Sequence, residues 1–217
     1  MKKVAVILSG CGVFDGAEIH ESVFTLLSLA QQGASYQCFA PDVEQLHVIN
    51  HLSGEVEENQ SRNVLVESAR IARGDVLPLS QCDAVDFDAL ILPGGFGAAK
   101  NLCTFALSGP EGEINQEVLA VCKQFAEQQK PAAYACIAPA IAAMVYEQEV
   151  KLTIGNDSDT AAGLNALGAS HVNCAVDDIV VDSDAKVVTT PAYMLANNIV
   201  DAHKSIERMV SALLALK

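Results

Sequence analysis

The chain contains no tryptophan, and aromatic residues of all kinds make up only 5% of it. Its apolar weight therefore rests on aliphatic side chains: hydrophobic residues reach 51% and charged residues 18%, a balance that excludes a disordered chain. Positive charge is scarce as well, with 13 Lys and Arg against 27 Asp and Glu and a formal net charge of -14. Such a surface repels a phosphate backbone, whose binding depends on Lys and Arg displacing counterions, so nucleic acid is excluded as a partner. Long apolar runs are missing too. None approaches the roughly 18 residues of a membrane-crossing helix, and no membrane association is expected. No repeat, linker or low-complexity tract divides the chain, and residues 1–217 read as a single domain.

The seven cysteines (11, 38, 82, 103, 122, 136 and 174) include no C-x-x-C pair and are odd in number. A disulfide framework and a four-cysteine zinc site are thereby excluded, and a reducing compartment, taken as the cytoplasm, is implied. The N-terminal MKKVAVILSGC shares its lysines and its Leu-Ser-Gly-Cys with a lipoprotein leader. Its apolar run, residues 4–8, falls short of the roughly 7–15 residues of an exported segment and is read as a strand.

Continuous apolar runs at residues 3–9, 89–92 and 132–135 predict parallel strands covered on both faces. Residues 35–40 and 151–154 are further strands, and a hairpin is expected about residues 182–186. Helical spacing runs from Ile19 to Gly33, through residues 62–73, from near Ala98, through residues 115–129 and 158–167, and from about Leu195. Residues 42–61 read as an irregular surface insertion. Strands alternating with helices predict an α/β three-layer sandwich with a largely parallel sheet, whose ligands sit at the carboxyl ends of the strands. Three loops meet there: residues 10–16, residues 93–97, and Cys136.

In KPAAYACIAPA a buried strand stops at Cys136, and Pro139 suits the first turn of a following helix. A strand that turns sharply into a helix at a nucleophile lifts its side chain above the sheet and offers backbone N–H groups to an oxyanion. A helix start also favours thiolate. Cys38 and Cys122, by contrast, fall on a strand and a helix face and read as small core hydrophobes.

The stretches KVAVILSGCGVFDGAEIHES, FDALILPGGFGAAKNL and YACIAPA, in this order across nearly the whole chain, resemble the ThiJ/PfpI, class I glutamine-amidotransferase-like superfamily. LTIGNDSDT and AVDDIVVDSDAKVVTTPAYMLA narrow the likeness to its enhancing-lycopene-biosynthesis branch, ElbB, similar to the sigma cross-reacting protein. The resemblance implies a flavodoxin-like fold and a homodimer. It places the superfamily's elbow cysteine on Cys136 and its acidic partner on Glu21, Glu18 being the alternative, and it places two oxyanion N–H groups on Gly95 and Ile137. It further implies a glyoxalase that needs no cofactor or metal and acts on a small aldehyde such as glyoxal. The alternatives are a redox or stress protein using the same thiol, or a protein tied to isoprenoid biosynthesis.

Two departures stand out. Ile137 occupies the place where amidotransferases carry a histidine, which argues against a Cys-His-acid triad and against glutaminase chemistry. Tyr134, two before the cysteine where elbows favour a small residue, predicts a looser turn. Among the histidines, His47 and His51 are four apart but lack a third ligand, His20 is expected on another helix face than Glu21, and His203 is expected in solvent. Thr190 and Tyr193 are further candidates to line the site.

Overall fold

The computed structural model describes residues 1–146 and 148–216. In chain order the elements are β1 (Lys3–Ile7), α1 (Ile19–Gln31), β2 (Ser35–Ala40), α2 (Val64–Ile71), β3 (Val76–Pro78), β4 (Ala89–Leu92), α3 (Phe96–Lys100), α4 (Phe105–Ser108) and α5 (Gln116–Glu127). There follow β5 (Ala132–Ala135), α6 (Pro139–Val145), β6 (Lys151–Leu152), α7 (Ser158–Ala166), β7 (Ser170–His171), β8 (Val180–Asp182), β9 (Val187–Thr190) and α8 (Ile199–Ala215). A seven-stranded sheet has the order β3-β2-β1-β4-β5-β9-β8, parallel throughout except that β8 runs antiparallel to β9. β6 and β7 form a separate parallel pair.

The apolar runs become strands because both faces of the sheet are covered. Val4, Val6 and Leu8 pack with Leu29 of α1 and with Ile206, Met209, Val210 and Leu213 of α8. Ala5, Ile7, Leu90 and Leu92 face the opposite way, against Val118, Val121 and Phe125 of α5 and Ile141 of α6. Each fully buried Leu, Ile or Phe contributes about 1.5–3 kcal/mol, so the two faces together commit the central strands to the interior. The result is the three-layer, flavodoxin-like class I glutamine-amidotransferase-like fold.

β1 pairs with β2 on one side and β4 on the other, so the strand order reverses there, where such sheets open a crevice beyond their carboxyl ends. Registers Val6↔Ile91, Leu92↔Tyr134 and Ala135↔Thr190 carry the ends of β1, β4, β5 and β9 to one edge. Residues 10–16, 93–97, 136 and 191–193 converge on it.

Several boundaries differ from expectation. α3 begins at Phe96, and α8 begins at Ile199 instead of near Leu195, because Ala192–Met194 close a 3-10 turn and Asn198 then caps the helix with its side chain on the Val200 and Asp201 N–H groups. Residues 42–61 are irregular but not confined to the surface: Gln45, Val48 and Ile49 are buried, and the Ile49 N–H donates to Asp15 Oδ2 at 2.7 Å. Among the described residues no helix is long and apolar enough to cross a membrane.

Candidate active site

Cys136 follows β5 directly and has φ 59°, the left-handed region that a side chain with a Cβ rarely adopts. Holding a non-glycine residue there costs about 1–3 kcal/mol and persists only where neighbours fix it. Here the Cys136 N–H donates to Thr190 O at 2.9 Å and the Ala138 N–H to Ala135 O at 2.9 Å. The elbow also breaks the strand's alternation. Tyr134 lies in the core against α5 and α6, whereas Cys136 turns to the other face with Ala133 and Ala135. Tyr134 therefore does not loosen the turn as expected; its bulk is stored on the far side of the sheet.

The turn after β4 closes over the elbow. A methyl group on Gly94 would stand 2.3 Å from Cys136 Cβ and 2.6 Å from Glu21 Oε2; one on Gly95, at φ +93°, would stand 2.3 Å from the Glu18 nitrogen. Only glycine lets three chain segments approach this closely. The N–H groups of Gly95 and Ile137 are directed to the Cys136 side and lower its proton affinity. Burial and the neighbouring charge of Glu21 hold the thiol well above its ordinary value, and the two N–H groups pull it back only in part. The thiolate-favouring effect expected of the helix start is thus outweighed by desolvation.

Glu21 is fully buried in the first turn of α1. Its Oε2 accepts from the Gly94 N–H at 2.9 Å and its Oε1 from the Tyr193 N–H at 3.1 Å, and it adjoins Cys136 across Gly94. Burial drives the carboxyl up to about 8 against these two N–H groups, with help from the Glu18 charge. The Cys136 contact lowers it instead of raising it, since a thiol donating to the carboxylate stabilises the ionised form.

The structure brings Cys136, Glu21, Gly95 and Ile137 together and gives Glu18 a different part. Glu18 is the N-cap of α1: its Oε2 accepts from the Glu21 N–H at 2.7 Å, and its own N–H donates to Gly94 O at 2.9 Å. Its position at the extreme helix start, which counted against it as the acid, is what suits it to capping. Tyr193 enters through its backbone, and His20 joins it: His20 Nδ1 lies 2.7 Å from the Tyr193 hydroxyl. His20 is exposed and so lies on another helix face than buried Glu21, as expected, yet it reaches the site's margin through Tyr193. The His203 ring stands edge-on to Phe24 at 5.1 Å, part of the same aromatic group rather than free in solvent. Thr190 turns its hydroxyl to Ser205, 2.7 Å away, and buttresses the turn. His51 accepts from the Phe14 N–H at 3.2 Å and lies 3.7 Å from buried Asp15, without His47. Among the described residues no cluster of three or more His, Cys, Asp or Glu side chains has the arrangement of a metal site.

No model of a protein family matches the chain. It is 48% identical to the ES1 protein homolog, mitochondrial, of Rattus norvegicus over 99% of this chain and 84% of that protein. It is 47% identical to the glutamine amidotransferase-like class 1 domain-containing protein 3, mitochondrial, of Homo sapiens over 99% of this chain and 83% of that one. Among solved structures, an isoprenoid biosynthesis protein with an amidotransferase-like domain from Ehrlichia chaffeensis is 35% identical with a TM-score of 0.93, covering 99% of this chain and 98% of its own. Glyoxalase III from Candida albicans shares the fold with a TM-score of 0.61 at 15% identity, over 97% of both chains. The mitochondrial relatives correct the cytoplasmic assignment. Cysteine usage does not distinguish one reducing compartment from another, and the relatives' names point to mitochondria.

Proposed function

Because the chain belongs to the ES1/ElbB branch of the ThiJ/PfpI, class I glutamine-amidotransferase-like superfamily, we propose that it is a cofactor-independent glyoxalase, modest in rate, converting glyoxal to glycolate. The observation that carries this reading is the meeting of Cys136 and one buried carboxyl at Gly94, where a single added methyl group would strike both. In molecules whose Glu21 has released its proton, a fraction that grows as pH approaches about 8, Glu21 takes the thiol proton as the sulfur adds to one aldehyde carbon, and the Gly95 and Ile137 N–H groups hold the oxyanion. That oxyanion recovers the proton and becomes a hydroxyl. Glu21, again ionised, removes the hydrogen from the same carbon and delivers it to the neighbouring one, while the hydroxyl proton passes to the second oxygen. The product is a hydroxyacetyl thioester, and water cleaves it to glycolate and free thiol. A carboxyl whose proton affinity lies near 8 suits both halves of this transfer better than an ordinary carboxylate does.

A second reading uses the same atoms. The two N–H groups that hold an oxyanion would equally hold the oxygens of an oxidised sulfur, and the relative named for isoprenoid biosynthesis carries no glyoxalase in its name. Purified protein with glyoxal, assayed for glycolate, tests the first reading: wild type should form it, and Cys136→Ser and Glu21→Gln should lose it at least ~100-fold. Equal inactivity of all three defeats the glyoxalase reading, and a mass gain of Cys136 under mild peroxide would then support the second. We also propose a homodimer, for which Ile19, Val23 and Leu27, half-exposed at four-residue spacing along α1, supply apolar surface.

A further inference from the structure

Tyr193 touches α1 at two consecutive residues by two different groups. Its backbone N–H donates to Glu21 Oε1 at 3.1 Å, and its hydroxyl lies 2.7 Å from His20 Nδ1. The rings of His20 and Tyr193 stand 5.8 Å apart, and His20 is in turn 6.1 Å from Phe24 of the same helix. The turn that aims the Tyr193 amide is strained: Ala192, a residue with a Cβ, is held at φ 44°. A conformation of that kind relaxes unless its neighbours oppose it. On one side the opposition comes from Ser205, whose Oγ accepts from the Ala192 N–H at 3.1 Å. On the other side, the Tyr193 side chain meets His20 through its hydroxyl and its ring.

We propose that Tyr193 and His20 are a positioning pair for Glu21: their hydrogen bond holds the strained turn against α1, keeping the Tyr193 amide on the Glu21 carboxyl and that carboxyl directed at Cys136. Four segments face Glu21. They bring the Glu18 carboxylate from the helix cap, the Cys136 thiol from the elbow, the Tyr193 phenol from the turn after β9, and from the turn after β4 only the Gly94 backbone. The Tyr193 N–H is one of the two backbone donors that lower the Glu21 proton affinity, so its withdrawal shifts that affinity upward. The role is orientation, since neither side chain is seen to touch the sulfur.

The test is the rate of Cys136 alkylation by iodoacetamide from pH 5 to pH 10, read at the modified peptide by mass spectrometry. Tyr193→Phe keeps the ring and removes the hydroxyl; His20→Ala removes its partner; His20→Asn restores a hydrogen-bonding atom near the place of Nδ1 without a titrating ring. The first rise in rate is expected to move to higher pH by roughly half to one unit in Tyr193→Phe and His20→Ala, and to return towards the wild-type position in His20→Asn. Profiles of Tyr193→Phe and His20→Ala that overlie wild type overturn the proposal, as does His20→Asn shifting as far as His20→Ala. Both His20 variants remove the same ionisation, so their difference isolates the hydrogen bond, and this exposed residue carries the test if Tyr193→Phe does not fold. The inference rests on Glu21 being the partner of Cys136, but the assay uses no aldehyde. Glycolate formation without these shifts defeats the positioning role alone; the shifts without glycolate defeat the glyoxalase reading alone.

Discussion

Replacing Glu21 by glutamine should make two stability curves converge as pH rises. In the folded protein burial raises the Glu21 carboxyl from 4.5 to about 8, so between those values the native state holds a proton that the unfolded chain has released. A group of this sign stabilises fully below pH 4.5 and loses its contribution as pH climbs through about 8. A displacement of about 3.5 units at 1.36 kcal/mol each sets a ceiling of ~5 kcal/mol, and polarisation of the surrounding protein reduces it to about half. For a chain of this size that loss lowers the melting temperature by ~5–15 °C between pH 5 and pH 9. Glutamine does not titrate, but it is not a neutral copy either. A protonated carboxyl can still accept at both oxygens, whereas the amide nitrogen would face either the Gly94 or the Tyr193 N–H, donor against donor. That mismatch costs ~1–3 kcal/mol at every pH. Glu21→Gln should therefore melt below wild type at pH 5 and draw level with it or pass it by pH 9. Thermal unfolding by circular dichroism across this range reads the difference directly, and a gap that stays constant from pH 5 to pH 9 would refute a buried, proton-holding Glu21.

The glycolate and alkylation assays described above should separate catalysis from positioning. Gly95→Ala should lose at least ~2 kcal/mol in urea unfolding and all glycolate formation, because its φ is +93° and the new methyl would meet the Glu18 nitrogen at 2.3 Å. Gly33→Ala, with φ +72° but nothing within 4 Å, should cost about 1 kcal/mol and leave activity intact, so the difference between the two variants measures the close approach. In sedimentation, wild type should run as a dimer and Val23→Asp as a monomer, since a charge in the half-exposed α1 stripe would be desolvated on pairing; an unchanged dimer moves the interface elsewhere.

The parts of the fold legible in the residues were those where packing repeats over several positions. β1, β4 and β5 are unbroken apolar runs because helices cover both faces, and α1 and α5 keep helical spacing long enough to be read. β3 and β7, of three and two residues, are too short to show any period, and β3 ends on a proline that speaks against a strand. The misplaced start of α8 has a different cause. Met194 and Leu195 continue the apolar pattern backwards from the helix, and only Asn198, a strong capping residue, marks the true beginning.

At the site, Cys136 was legible from a strand that stops one step before a proline-led helix. Glu21 was not, since by composition it is one glutamate among many, and it was found through the family likeness alone. Glu18 occupies the capping position although glutamate is not among the residues favoured there, so its type carried no signal of that role. Tyr193 was named as a candidate to line the site, but the way it enters was not legible, and the reason is physical. It acts on Glu21 through a backbone N–H, which every residue but proline possesses, so residue type could not disclose that contact. Such donors are found only by the geometry that aims them, here a non-glycine residue at φ 44° one position earlier. The same holds for Gly95 and Ile137: glycine is informative because a Cβ would collide, but isoleucine follows the cysteine for packing, and its N–H would be presented whatever the side chain. The absence of histidine at that position therefore removes a proton carrier without removing the backbone donors proposed to hold an oxyanion, which is why chemistry centred on the buried carboxyl fits this chain better than a triad.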